Sequence, residues 1–227
     1  AGVSLMGSYA SGTATAYSDV DLVCFRTTEA GTEHFRCLDH TYVVISGVAL
    51  LTVDTWFTEP ELATEFVGGL RAMRPVFDPH HILHDLRERA NNFVWTTDLE
   101  KKARAYTTRA LISFGEEVLK GMAGRDGDHP GRLLNAVYGL ALGLPRVIRV
   151  RYGYLITSDN DYLTVLKHHF PGEEEKVGRF LGLTPAPLTR RLEDGFFLYC
   201  KLLEDHRAHF SAEQRQVIEC ITSHTFP

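Results

Sequence analysis

The sequence predicts an α+β fold: a small mixed-sheet domain over residues 1–92, followed by an α-helical domain over residues 93–227. Three observations carry this reading. Residues 3–57 hold short apolar runs that alternate with polar positions or are rich in β-branched residues, the pattern of half-buried strands. From Leu99 nearly to the end, apolar residues recur at helical spacing. The change of pattern falls near residues 90–98, and neither side of it contains a repeat or a low-complexity tract.

Each element has a local reason. Val3–Met6 is a short apolar run that stops at Gly7-Ser8, a turn sequence. Asp19–Phe25 alternates, so Asp19, Asp21 and Val23 share one face and Val20, Leu22 and Cys24 the other. Thr27–Thr32 reads as a turn. Tyr42–Ile45, Ser46-Gly47 and Val48–Phe57 read as a β-hairpin whose second arm carries Asp54. Beyond Pro60, Glu61–Leu70 and Ile82–Asn92 have helical spacing, and the proline-bounded Arg74–Pro79 between them reads as extended. Leu99–Lys120 is a long helix with a stripe of Ala103, Tyr106, Ala110, Leu111 and Phe114, followed by a loop at Gly121–Gly131. Arg132–Leu144, Asp161–His169, Glu173–Leu181 and Leu188–His209 are further helices. Ala212–Thr222 is a last one, capped by Ser211 with Gln214 three residues on.

Composition narrows the function. The chain has 227 residues, enough for one large domain or two small ones. Its formal net charge of −5 weighs against a nucleic-acid platform, which needs a basic face, and fits a small-molecule site. Cys24, Cys37, Cys200 and Cys220 form no CxxC pair, as expected of reduced thiols in a cytoplasmic protein. The start reads as a strand and not as a signal peptide, and no segment is expected to cross a membrane.

The chemistry concentrates in Gly7–Leu22. Gly7 permits the dihedrals and close approach that a phosphate-binding turn requires, Ser8 adds a hydroxyl, and a helix starting after Ser8 would add its dipole. Gly12 lets the chain turn back toward Ser18-Asp19-Val20-Asp21-Leu22. Each half is weak alone. Together they are not, because two carboxylates at the start of a buried strand repel one another and are desolvated unless a cation joins them. Mg²⁺ is the usual cation where phosphates complete the shell. Asp54, in the apolar run Leu50–Trp56, is the expected third carboxylate, with Asp39 ranked behind it. Three carboxylates suit two Mg²⁺ ions at a phosphoryl-transfer site.

Gly7-Ser8, Gly12 and Ser18-Asp19-Val20-Asp21-Leu22 resemble the signature of the DNA polymerase β-type nucleotidyltransferase superfamily, and the helical second half is similar in outline to its small-molecule branch, the aminoglycoside and lincosamide nucleotidyltransferases. The resemblance covers about the first quarter of the chain. It implies transfer of a nucleoside monophosphate, AMP from ATP, to a hydroxyl of a small molecule such as an antibiotic, with release of pyrophosphate. It further implies two Mg²⁺ ions held by Asp19, Asp21 and Asp54, a triphosphate near Gly7, Ser8, Tyr9, Gly12 and Ser18, and substrates in a cleft between the domains. Val53-Asp54-Thr55 matches the family's third-acid pattern only loosely. The family also usually places a helix before the first strand, and the sequence here begins at that strand. A toxin–antitoxin-type enzyme acting on a protein or tRNA, and a catalytically silent nucleotide-binding module, are the alternatives.

Other residues offer weaker chemistry. Some relatives recruit a base from the helical domain, and Glu116 and Glu117 are the candidates here. Lys101, Lys102, Arg132, Arg149 and Arg151 are candidate phosphate contacts, the last two sharing a face if that piece is extended. His80, His81 and His84 form an HHxxH cluster with zinc-like spacing and no further ligand. Trp56, Phe57, Tyr152, Tyr154 and Tyr162 are possible stacking residues for which core packing is the default, and Tyr9 is the first aromatic to test near a nucleotide.

Overall fold

The structure, a computed structural model, describes residues 2–28 and 31–223. The expected turn at Thr27–Thr32 therefore lies partly outside the described residues. The chain divides into two compact units, Ala1–Glu100 with Leu155–Asp159, and Lys101–Tyr154 with Asn160–Pro227.

Among the described residues, the first unit contains one five-stranded mixed sheet in the order β3-β4-β2-β1-β5. Its strands are β1 (Gly2–Met6), β2 (Val20–Arg26), β3 (His34–Leu38), β4 (Thr41–Ala49) and β5 (Arg74–Phe77). β2 runs antiparallel to β1 and parallel to β4, while β3 and β5 are antiparallel edges. A single turn of helix, α1 (Gly7–Ser11), leaves β1. Two short turns, α2 (Leu50–Val53) and α3 (Thr55–Thr58), follow β4, and α4 (Pro60–Ala72) and α5 (Ile82–Asn91) complete the unit.

Strand alternation decides which face these helices cover. The register puts Gly2, Ser4 and Met6 beside Phe25, Val23 and Asp21, all on one face. Phe25, Val53, Phe57, Val67, Leu70 and Leu83 form the buried core there, with Met6, Val23 and Val48 packed against it. The carboxylates of Asp19 and Asp21 thus belong to the helix-covered face, at the end of the sheet where β2 begins.

The expected hairpin is corrected. β4 is continuous through Ser46-Gly47, and its hairpin partner is β3, joined through Asp39 and His40, both at positive φ (48° and 65°). Val48–Phe57 is not a second arm: its strand ends at Ala49 and two helical turns follow. Leu50, Val53 and Phe57 recur at helical spacing and bury one side, which an extended segment could not do.

The second unit is helical, with α6 (Thr97–Asp126) entering from the first unit and α7 (Pro130–Tyr152), α8 (Tyr162–His169), α9 (Glu174–Leu181), α10 (Leu188–His206) and α11 (Ala212–Ser223) following. The loop expected at Gly121–Gly131 shrinks to residues 127–129, because α6 continues through Asp126. α7 runs past Leu144 to Tyr152, so Arg149 and Arg151 are helical rather than extended. Contrary to expectation, α7 is long and apolar enough by composition to cross a membrane, but 67% of its apolar window is buried in the folded chain, as in a core helix. The capping box of α11 forms as read: Gln214 N–H donates to Ser211 Oγ (3.2 Å), and Ser211 N–H donates to Gln214 Oε1 (2.9 Å).

Two features of the packing are testable. Gly68 of α4 lies on the backbone of Ile156, whose N–H donates to Thr64 O (3.2 Å), so a methyl at residue 68 would collide with the Ile156 carbonyl. Gly68→Ala is expected to lower stability by about 2 kcal/mol, read as a drop in the urea midpoint. In the helical unit, burial and the nearby His209 and Arg151 lower the His206 pKa from 6.5 to about 4. Its Nε2 lies 2.8 Å from Thr108 Oγ1. The unfolded chain binds this proton more tightly, so His206 contributes stability that is lost as pH falls from 6.5 toward 4. His206→Gln should flatten the melting temperature across that window.

Candidate active site

Gly7 is the pivot. It ends β1 and opens α1 at φ 61°, in the left-handed region that side chains disfavour. A methyl group there would also collide with Asp21 Oδ2. Gly7 and the second carboxylate are therefore packed directly against one another. The register explains why: Met6 is paired with Asp21, so the residue after Met6 meets that carboxylate.

The turn then closes on itself. Thr13 N–H donates to Ser8 O (2.9 Å), as does the Ser11 hydroxyl (3.1 Å), and Gly12 reverses the chain at φ 78°. Ser18 Oγ accepts from Thr15 N–H (2.9 Å) and shapes the return to β2. Tyr9 stands on α1, 37% exposed. Burial, and then the charge of Asp19, raise the pKa of Asp21 from its ordinary value. A cation between the two carboxylates would relieve both causes, so these residues fit a divalent metal.

Asp54 does not join them. β2 and β4 are parallel, and Ala49 at the end of β4 pairs with Arg26 at the end of β2. Asp54 lies beyond Ala49, whereas Asp21 is five residues back along β2, about 17 Å at ~3.3 Å per residue. The Asp54 carboxylate is exposed and takes the Arg89 guanidinium of α5 at 2.5 Å. The β4 residue level with Asp21 is Val44, and β4 carries no acid at all. Asp39, the other candidate, sits in the β3–β4 turn at the correct end of the sheet, exposed. Among the described residues, no three His, Cys, Asp or Glu side chains are grouped to hold a metal. His80, His81 and His84 accordingly form no such group. His81 occupies a left-handed position before α5, whose first N–H groups are capped by Asp78 Oδ2.

Several of the remaining candidates have structural partners. Lys120 Nζ lies 2.8 Å from Glu117 and 3.8 Å from Glu116 on α6. Trp56 stacks on Phe66 and Arg89 lies over Phe57, so both rings serve the fold. Tyr162 is buried, and Tyr152 stacks on Tyr154. Arg149 is buried within α7.

Sequence reasoning missed three residues near the site. Arg74 pairs with Leu5 across β5 and β1, and its guanidinium lies 3.9 Å from where a Gly12 side chain would start. Phe35 and Tyr42 stand on the sheet face that carries Asp21, stacked and exposed. The strand register brings Phe35 and Tyr42 to the face of Asp21, whereas Arg74 starts on the opposite face beside Leu5 and only its guanidinium reaches Gly12.

Residues 1–64 match the family model described as nucleotidyltransferase domain. The first segment is nucleotidyltransferase-like. The match gives this segment general nucleotidyl-transfer chemistry, and it spans β1 through the first part of α4. The whole chain also aligns with 74% of a nucleotidyltransferase-like protein from Exiguobacterium sibiricum 255-15, at 14% identity and a TM-score of 0.48. No curated protein matches the chain.

The two glycines of the loop should respond differently to the same change. Gly12→Ala meets only the backbone penalty of a positive φ, about 1 kcal/mol, since nothing blocks its Cβ. Gly7→Ala meets that penalty and the Asp21 carboxylate, and should cost about 1–3 kcal/mol more. Urea unfolding of the two variants side by side gives the difference directly.

Proposed function

We propose that the chain transfers a nucleoside monophosphate, AMP from ATP, to a hydroxyl group of a small molecule. The observation that supports this most is the contact between Gly7 and Asp21, with Asp19 beside it, within a segment that matches a nucleotidyltransferase domain. In this reading the Gly7–Gly12 turn receives the triphosphate and Arg74 adds a positive charge beside it. Asp19 and Asp21 would hold Mg²⁺. Bound there, Mg²⁺ supplies neutralisation of the triphosphate and of the charge that develops on the attacking and leaving oxygens.

The bonds follow from the substrates. The acceptor oxygen forms a bond to the α-phosphorus, the bond from that phosphorus to the bridging oxygen breaks, and pyrophosphate leaves with the electron pair. The hydroxyl proton passes to water. Aminoglycosides and lincosamides are the first acceptors to try, in keeping with the motif's resemblance. A third carboxylate is not part of this reading, because Asp54 is held elsewhere by Arg89.

One observation favours a second reading. With Val44 level with Asp21, the site has two carboxylates where full metal-assisted transfer is best served by three. A module that binds nucleotide without transferring it needs no more than these two.

Pyrophosphate release from ATP, measured with MgCl₂ and an antibiotic panel, separates the readings. Under the transferase reading, Asp19→Asn and Asp21→Asn each reduce the rate on the order of 100-fold or more. Asp54→Asn keeps near-wild-type turnover, since it breaks only an exposed ion pair worth about 1 kcal/mol or less. Chelating Mg²⁺ abolishes release. ATP binding by calorimetry, with no release for any acceptor, would favour the silent module.

A further inference from the structure

We propose that Phe35 and Tyr42 form the floor on which the acceptor's ring stacks, so that the acceptor is a ring-bearing alcohol and not an open-chain polyol. The proposal rests on the transferase reading above and names the substrate class of the same site.

The argument starts from the register. Met6, Asp21, Val44 and Phe35 lie in one row across β1, β2, β4 and β3, all on the same face. Tyr42 is two residues from Val44 on that face, level with Asp19 just before β2. Strands lie about 4.8 Å apart, so Tyr42 is one strand and Phe35 two strands away from the acidic pair. Their rings are 5.9 Å apart and nearly parallel, 7° between planes. Phe35 is 50% exposed on the edge strand β3, whose every residue is exposed, and Tyr42 is 51% exposed at the start of the neighbouring β4. Edge strands are normally blunted by charge or cover, and a flat aromatic pair left open between an edge strand and its neighbour is unusual.

The chemistry gives this pair a direction. In-line displacement places the attacking oxygen and the departing pyrophosphate on opposite sides of the α-phosphorus. The Gly7-Ser8 turn, which receives the triphosphate, lies on the β1 side of Asp21. The attacking hydroxyl therefore arrives from the β4–β3 side, where Phe35 and Tyr42 stand. Between them and the acids lies Val44, which offers an apolar contact and no competing charge. Flat aromatic faces bind the faces of other rings, including the C–H face of a sugar.

The test measures pyrophosphate release from ATP with MgCl₂, using kanamycin A, lincomycin and phenyl β-D-glucopyranoside against glycerol and sorbitol. Ring acceptors should be turned over and open-chain polyols should not. Phe35→Leu, which keeps an apolar side chain on the strand, and Tyr42→Ala should each raise the acceptor KM about ten-fold. The KM for ATP and the melting temperature should hold, and Tyr42→Phe should match wild type. An unchanged acceptor KM in both variants overturns the proposal, as does equal turnover of sorbitol. A wild-type dimer in sedimentation that the double variant dissociates also overturns it, since the pair then serves self-association. If no acceptor reacts and none of their ring protons receives saturation from the protein by NMR, ATP binding decides what fails. Retained ATP binding that depends on Asp19 and Asp21 leaves the site standing and removes the platform. Lost ATP binding removes the transferase reading with it.

Discussion

The carboxylate of Asp21 occupies the space that any side chain on residue 7 would fill. That single contact ties the start of β2 to the end of β1 and makes the turn between them more than a connection. Gly7 must be glycine twice over, for its φ of 61° and for the approach of Asp21. The antiparallel pairing of β1 and β2 then sets the row in which every nearby residue stands. The turn that opens at Gly7, the acidic pair and the aromatic pair are all placed by that one register.

Packing elsewhere supports this end of the sheet without entering it. α4 and α5 cover the face that Asp19 and Asp21 share, but their core is built on Val23, Phe25 and Val48, farther along the strands. Asp19 and Asp21 lie outside that core, half-buried at the end where β2 begins. Gly69 of α4 faces the Met6 methyl, so the helix reaches the strand position paired with Asp21. The helical unit holds its own structure by separate means. Asp194 is 2% exposed and takes two hydrogen bonds from Arg179, at 2.7 and 3.1 Å, a paired buried charge that anchors α9 to α10.

Much of this was legible before any coordinates. Period-two alternation in Asp19–Phe25 put both acids on one face, and the Gly-Ser turn announced the end of β1. Asp54 was misread because Leu50–Phe57 is short, apolar and contains β-branched residues, so helix and strand look alike by composition. The deciding signal was present: Leu50, Val53, Phe57 and Pro60 recur every three or four residues. Phe35, Tyr42 and Arg74 carried no such signal. β3 is only five residues long and exposed throughout, so the sequence does not set His34–Leu38 apart from a loop, and its aromatic residue is related to Asp21 only when β4 aligns the two.

The third strand position has an electrostatic consequence. Asp21 is flanked in its row by Met6 and Val44, two apolar side chains. Burial is the first cause of its raised proton affinity, and the charge of Asp19 is the second. A third carboxylate at Val44 would add like charge and demand more cation. Valine instead leaves two acids in a partly dry setting, where one divalent ion or one proton satisfies them. On the proposed transferase reading, such a site would hold less positive charge than three acids would, and more would depend on what the substrate brings: its own phosphates on the β1 side, and on the β4–β3 side a ring recognised by its shape rather than its charge.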